Sequence, residues 1–350
     1  MRHHFSAFFA AALSAICAGL LPSTHAVAAE KVVFAYPSTS LSMLPFYVAQ
    51  EKGMYKDENI EVEFVRVGAG NFYPALLSGQ ADVVHSNIVD PMTLRQKGQD
   101  VAAIGLFSYN FTTQLVLSTK YAKAKGVTTA SPLKDKVLAL KGARVAATGQ
   151  GAGTDQQLRF LAALYGFDFQ KDMHVTYIRE GAAAVAALTN GQIDAFIHVT
   201  PFYEMAIERG AAIMLVNFAR GEVPEADGYV QCALVSTSKI IAAKKDRLVK
   251  FLRATKKAMA FIHDQARREE VVSIAAKYIT DGKSSNAEMR PFVEEMLADK
   301  QVPTTVVLDE KRFNVSRDFR NALLKIEKQP LLDFKYADIV NNDLAIEAEK

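Results

Sequence analysis

The same short phrase closes a strand–helix run twice in this chain. The first copy reads Leu77-Ser78-Gly79-Gln80-Ala81-Asp82-Val83-Val84-His85. The second reads Thr189-Asn190-Gly191-Gln192-Ile193-Asp194-Ala195-Phe196-Ile197-His198. Glycine accepts the positive φ that ends a helix. The aspartate opens a short apolar strand, and a polar residue emerges where that strand stops. The run before each copy has the same grammar. Lys31 to Tyr36 reads as a strand, Pro45 to Lys52 as a helix, and Glu61 to Val67 alternates as a half-buried strand does. The turn Gly68-Ala69-Gly70-Asn71 then enters the helix that Gly79 ends. In the second half, Arg144 to Thr148 is a strand, Asp155 to Tyr165 a helix, His174 to Ile178 a strand and Ala182 to Thr189 a helix. Alternating strands and helices imply parallel sheets, and two such runs imply two similar lobes.

The connections fix how the lobes are threaded. Ile104 to Ser108 leads into Gln114 to Ser118, and Tyr229 to Val235 is a further strand; these are the expected crossings. The expected organisation is an α/β two-lobed, hinged fold, each lobe a mainly parallel sheet flanked by helices. Residues 30–110 and 236–350 form lobe one, and the inserted residues 111–235 form lobe two. The last third is mainly helical, with Leu248, Phe251, Leu252, Thr255, Ala258, Met259 and Ile262 on one face. Residues 244–268 carry nine basic and two acidic side chains, read as a solvated outer face.

The first residues read as a secretory leader over 1–29. Met1-Arg2-His3-His4 is a basic start, Phe5 to Leu21 is apolar or small, and small residues allow cleavage after Ala28 or Ala29. The apolar stretch sits at the short limit for a spanning helix. Ile16 before Cys17 removes a lipoprotein reading. The mature chain is therefore expected outside the cytoplasm, in the periplasm. Losing Arg2 takes the net charge from +3 to +2, too near balance for a nucleic-acid binder. Half of the residues are hydrophobic, and Cys232 alone remains, so the fold must rest on its core rather than on a disulfide.

In open parallel sheets, ligands bind beyond the C-terminal ends of the strands. That rule selects Ser38, Thr39, Ser40, Asn71, His85, Ser86 and Asn87 in lobe one. In lobe two it selects Gln150, Gly151, Gly153, Thr154, Arg179, His198 and Thr200. Phe46 and Tyr109 are nearby aromatics that could wall a ligand. Several of these loops precede helices, whose N-termini suit an anion. Gly149-Gln150-Gly151-Ala152-Gly153-Thr154 looks like a phosphate loop. It lacks the Lys-Ser or Lys-Thr of a Walker sequence, and Thr154 replaces the third glycine of the dinucleotide fingerprint. No cofactor is expected. The mature histidines show no metal-ligand spacing, no Cys cluster accompanies them, and Gly-x-Ser-x-Gly is absent.

Leu44-Pro45-Phe46-Tyr47-Val48-Ala49-Gln50-Glu51-Lys52-Gly53-Met54-Tyr55 resembles the opening motif of the nitrate/sulfonate/taurine-type (SsuA-like) substrate-binding proteins of ABC importers. Leu76 to Asp82, Lys141 to Val145 and Ala187 to Asp194 match later blocks, so the resemblance covers nearly the whole mature chain. It implies a type II periplasmic-binding-protein fold with a ligand in the interlobe cleft. It also implies partners: a small-molecule ligand and a permease driven by a cytoplasmic ATPase, served by a monomer. Family members contact ligand from the loops at Ser38 to Ser40, His85 to Asn87 and Gln150 to Thr154. A related branch makes the thiamine pyrimidine with a cysteine-rich motif that this chain lacks, which argues against an enzyme. The function expected is capture of a small organic solute, an anion such as a sulfonate or carboxylate. A ligand-sensing subunit and an enzyme on the same fold are the alternatives.

Overall fold

The computed structural model describes residues 29–37, 39–67, 72–280 and 282–350. The expected leader lies outside the described residues except for Ala29. No described helix is long and apolar enough to cross a membrane. The described residues begin with β1 (Glu30–Tyr36), α1 (Leu44–Glu51), α2 (Met54–Asp57), β2 (Ile60–Arg66), α3 (Phe72–Leu77), β3 (Val83–Ser86), α4 (Val89–Gln96) and β4 (Ala102–Ser108). It continues with β5 (Thr113–Ser118), α5 (Thr119–Lys125), α6 (Leu133–Leu138), β6 (Arg144–Ala147), α7 (Gly153–Leu164) and β7 (His174–Tyr177). Then come α8 (Gly181–Thr189), β8 (Ala195–Val199), α9 (Phe202–Glu208), β9 (Ala212–Val216) and β10 (Cys232–Ser236). The rest is helical: α10 (Ser238–His263), α11 (Arg268–Ile279), α12 (Asn286–Ala298), α13 (Glu310–Ile326), α14 (Tyr336–Ile339) and α15 (Asp343–Ala348).

Among the described residues two five-stranded sheets result, ordered β2-β1-β3-β10-β4 and β7-β6-β8-β5-β9. Each is built the same way. Three parallel strands (β2, β1, β3 and β7, β6, β8) are followed by one antiparallel to both its neighbours, β10 in the first sheet and β5 in the second. The sheets are therefore mainly parallel, as expected, with four strands running one way and a single strand, β10 or β5, running against them. The strand next to each crossing runs against the others because the chain enters it from the opposite lobe. The segment Tyr229 to Val235, expected to finish lobe two, joins the first sheet from Cys232 onward, where β10 pairs with β3 and β4. Its apolar run would suit either sheet, so only the pairing partner places it.

The repeated phrase does the same job in both sheets. The Asp82 carboxylate accepts the Val33 N–H at 3.1 Å, while the Asp82 N–H donates to the Val33 carbonyl at 2.8 Å. In the second sheet Asp194 accepts the Arg144 N–H at 2.9 Å and donates to its carbonyl at 2.8 Å. Each aspartate thus clamps the strand beside it. A cation completes each clamp: Lys244 pairs with Asp82, and the Arg144 guanidinium with Asp194 at 2.7 Å. Gly79 and Gly191 take φ of 79° and 68° just before.

The basic run in α10 lies on an outer, solvent-accessible face, as expected, and is laced with ion pairs. Lys250 pairs with Glu30, Arg253 and Lys257 with Glu58, Lys245 with Glu347 and Lys256 with Glu349. These contacts tie α10 to the start of β1, the end of α2 and the C-terminus. The opposite face of α10 buries Leu248, Phe251, Leu252, Met259 and Ile262 in the first core, where Phe251 meets Phe34 and Phe46.

Candidate functional site

The C-terminal ends of β1 and β3 lie across from those of β6 and β8, with residues 109–112 and 229–231 crossing between the sheets. A cavity of about 600 Å³ opens there. Asn87, Asp90 and Thr93 come from lobe one, and Thr113, Thr148, Gly151, Gly153, Thr154, Gln156, Gln157 and His198 from lobe two. The crossings contribute Phe111, Thr112, Tyr229 and Gln231, and α13 contributes Phe319 and Arg320. A smaller cavity of about 40 Å³ shares Thr112 and Val199 with it and is otherwise lined by Ser40, Leu41, Ser42, Thr200 and Gln301. The larger volume is in the range that holds a small organic molecule.

The turn after β3 builds the lobe-one wall. The Asn87 side-chain oxygen accepts the Val89 N–H at 3.0 Å and the Tyr229 hydroxyl at 2.9 Å. Ser86 is buried, and its hydroxyl lies 3.0 Å from the Asn87 carbonyl and 3.1 Å from the Asp90 carboxylate. Burial pushes the Asp90 carboxyl above the usual carboxylate range, while the charge of Arg320 works in the opposite direction.

The glycine-rich turn after β6 borders the cavity as the sequence suggests, but its hydrogen bonding is already turned inward. Gly151, at φ 74°, donates its N–H to Asp155 at 3.0 Å. Thr154 accepts the Thr148 N–H at 3.0 Å. Asp155 is buried in the first turn of α7 and also holds Arg159 at 2.8 Å and the Tyr177 hydroxyl at 3.0 Å. An internal carboxylate therefore answers the positive end of α7, where an external anion was expected.

The two histidines part company. His198 lines the cavity, with Nδ1 accepting the Val199 N–H at 3.0 Å and Nε2 donating to the Arg179 carbonyl at 3.1 Å. Both nitrogens are engaged, and burial pushes its pKa down, so the ring stays neutral. His85 lines neither cavity. Its Nε2 is 3.2 Å from the Cys232 sulfur, and its ring lies edge-on to Phe107. Burial pushes His85 down to about 4 and Cys232 up to about 12. Neither partner is charged near neutrality, unlike an activated thiolate–imidazolium pair.

The other expected site residues divide further. Ser40 and Thr200 line the smaller cavity; the Ser40 and Ser42 hydroxyls are 2.8 Å apart, and Thr200 donates to Glu204 at 2.8 Å. Thr39 is in the same loop as Ser40, half-buried. Phe46 is removed from the site: it is fully buried in the first core, 4.8 Å from Phe107 and stacked on Phe251. Tyr109 lies under the Arg312 guanidinium, 4.6 Å away, and packs on the second core instead of the cavity. Gln150 and Arg179 line neither cavity. Ser38 and Asn71 lie outside the described residues. Asp90, the crossing residues and the α13 pair were not in the expected set. The strand-end rule extended by one helical turn reaches Asp90. Nothing local in sequence points to Phe319 or Arg320, which arrive by packing. Among the described residues no group of three or more His, Cys, Asp or Glu is placed to hold a metal ion.

The family model described as NMT1/THI5 like matches residues 40–268. A comparison with curated proteins finds no match. A solved structure of a protein from Bordetella bronchiseptica RB50 is similar at 22% identity and TM-score 0.70, over 91% of this chain and 96% of that one. The periplasmic aliphatic sulphonate binding protein SsuA from Escherichia coli is similar at 19% identity and TM-score 0.64, over 85% and 92% of the two chains. The periplasmic nitrate-binding protein NrtA from Synechocystis PCC 6803 is similar at 16% identity and TM-score 0.64, over 91% and 88%. These likenesses establish the two-lobed binding-protein fold.

Proposed function

The chain belongs to the NMT1/THI5-like family, and from that premise we propose that it is an extracytoplasmic solute-binding protein. It captures a small organic solute bearing an anionic group, such as a sulfonate or carboxylate, between its lobes. It then delivers the solute to an ABC permease with a cytoplasmic ATPase. One observation carries the reading. The cavity of about 600 Å³ is walled by both lobes and both crossings, so a ligand filling it touches parts that separate when the lobes open. The cavity also holds polar atoms without partners among the described residues, the Gln231 side-chain oxygen and the Arg320 Nη1, both buried. Buried polar atoms of this kind are stabilised by a ligand that pairs with them.

The names of two similar folds, a sulphonate-binding and a nitrate-binding protein, support an anion. The leader-like first residues support export. His85 and Cys232 are buried away from the cavity, and both His198 nitrogens are engaged within the protein, which supports binding without turnover.

A thermal-shift screen over sulfonates, aliphatic and aromatic carboxylates, nitrate, pyrimidines and flavins tests the reading. A ligand at about a hundred times its Kd is expected to add about 2.7 kcal/mol of stability. X-ray scattering of the same complex is expected to show a smaller radius of gyration. Stabilisation without compaction would remove lobe closure, and no stabilisation by any class would remove solute binding. In cells lacking the chain, uptake of the identified solute is expected to fall; undiminished uptake would remove the importer role.

A further inference from the structure

Among the described residues around the larger cavity, Arg320 is the one lysine or arginine. Its side chain is mostly buried, and its Nη1 has no hydrogen-bond partner, while Nη2 reaches Glu327 only at 3.5 Å. A buried guanidinium N–H without an acceptor is costly, and a carboxylate or sulfonate oxygen is the group that matches its fork. The helix ends at the same cavity do not compete for an anion. Asp155 occupies the first turn of α7, and Asp90 that of α4. Arg320 also stands where the two lobes meet. Its neighbour Phe319 contacts Phe160 of α7 at 4.4 Å, and Phe111 and Tyr229 of the two crossings at 5.3 and 5.4 Å.

Asp90 lines the same cavity, and the charges of Asp90 and Arg320 both reach the Tyr229 phenol. Of the Asp90 oxygens, one receives the Ser86 hydroxyl. A ligand with one negative group can turn it to Arg320. A second negative group in the same cavity would face this carboxyl, and could sit there only against like-charge repulsion or with a proton taken up between the two groups.

We propose that Arg320, carried by the C-terminal helix α13, reads the charge of the solute, and that Asp90 restricts the preferred solute to a single anionic group. The inference rests on the cleft being the solute site.

Calorimetric titration with matched probes tests it: ethanesulfonate against 1,2-ethanedisulfonate, and benzoate against phthalate and neutral benzamide. The unaltered chain is expected to bind the better monoanion at least roughly tenfold more tightly than its dianion counterpart. Arg320→Gln is expected to weaken that monoanion by roughly ten- to a hundredfold, as loss of a charge-assisted pair does. Arg320→Lys keeps the charge without the fork and is expected to fall between. Asp90→Asn is expected to narrow the gap between mono- and dianion. Melting of each unliganded variant checks folding, and Arg320→Lys carries the test if Arg320→Gln is unfolded. Affinity unchanged within about twofold in both Arg320 variants would overturn the assignment, as would a gap that Asp90→Asn leaves intact. Binding of benzamide with no anion bound would overturn charge reading while leaving solute binding in place. Binding of no probe by the unaltered chain, together with a negative thermal-shift screen, would overturn both.

Discussion

His85 and Cys232 are residues that serve elsewhere as base and nucleophile, and here burial disarms both. With the ring held against Phe107 and the Cys232 sulfur, the proton is disfavoured on the folded imidazole. The ordinary value of 6.5 falls to about 4 in the folded chain. A depressed folded pKa gives stability that is complete above the unfolded value and is lost as pH falls through the interval below it. The unaltered chain is therefore expected to lose stability between pH 6.5 and about 4, on the order of 3 kcal/mol from this residue. His85→Gln should flatten that limb. Urea midpoints at pH 7 and 4.5 compare the two, and equal losses in both chains would discard the assignment. Position alone could not separate this histidine from His198, which closes the matching phrase. The third residue of a buried strand and the residue at a cavity edge look alike in sequence. What separates them is the neighbour across the sheet: His85 faces Leu234 of β10, and His198 faces Gln114 of β5.

At the scale of elements, the strand–helix grammar was legible because period and glycine punctuation are local properties. Both Gly-Gln-x-Asp phrases fall where a helix hands over to a buried parallel strand. The role of the aspartate was not legible, since it depends on Val33 and Arg144, which lie far along the chain. Sheet direction was only partly legible for the same reason: β10 and β5 read as apolar strands whatever their neighbours. The clamp yields a graded expectation. Asp82 is 1% exposed and holds both a strand N–H and Lys244. Asp82→Ala leaves that donor and cation without a partner, and should cost about 2–4 kcal/mol. Asp194 faces an Arg144 side chain that is 46% exposed, so Asp194→Ala should cost less, about 1–2 kcal/mol. Pairing with Arg144 holds the Asp194 carboxyl below the usual carboxylate range. Its contribution is present above pH 3.8 and lost as pH falls below that value. Denaturant midpoints of the two variants at neutral pH decide the ranking, and a larger loss at Asp194 would reverse the argument.

The whole molecule is tied together by the helices after β10. The expected division gave all of residues 236–350 to lobe one. Instead α13 packs Phe313, Phe319 and Leu323 into the core shared with Leu158 and Phe160 of α7. On the other flank, α12 reaches lobe two through ions. Arg220, just after β9, donates to Asp299 at 2.8 Å and Glu295 at 2.7 Å. Asn110, at φ 61° in the first crossing, donates to the Asp299 carbonyl at 3.0 Å. The Asp299 side chain is fully buried, so Arg220 is the cation that makes its burial tolerable. This bridge joins the lobes without a solute, and under the proposed lobe closure it would bias the unliganded chain toward the closed arrangement. Arg220→Met should shift that balance toward open, and a solute would then have to supply more of the closing free energy. The expected result is a larger radius of gyration for the unliganded variant, and a weaker apparent Kd by the factor by which the closed fraction falls. Asp299→Asn in the same background removes the stranded charge and should recover stability but not closure. Scattering and titration on the two variants together carry the test. An unliganded Arg220→Met chain as compact as the unaltered one, with its affinity unchanged, would mean that the bridge only supports the fold and does not bear on closure.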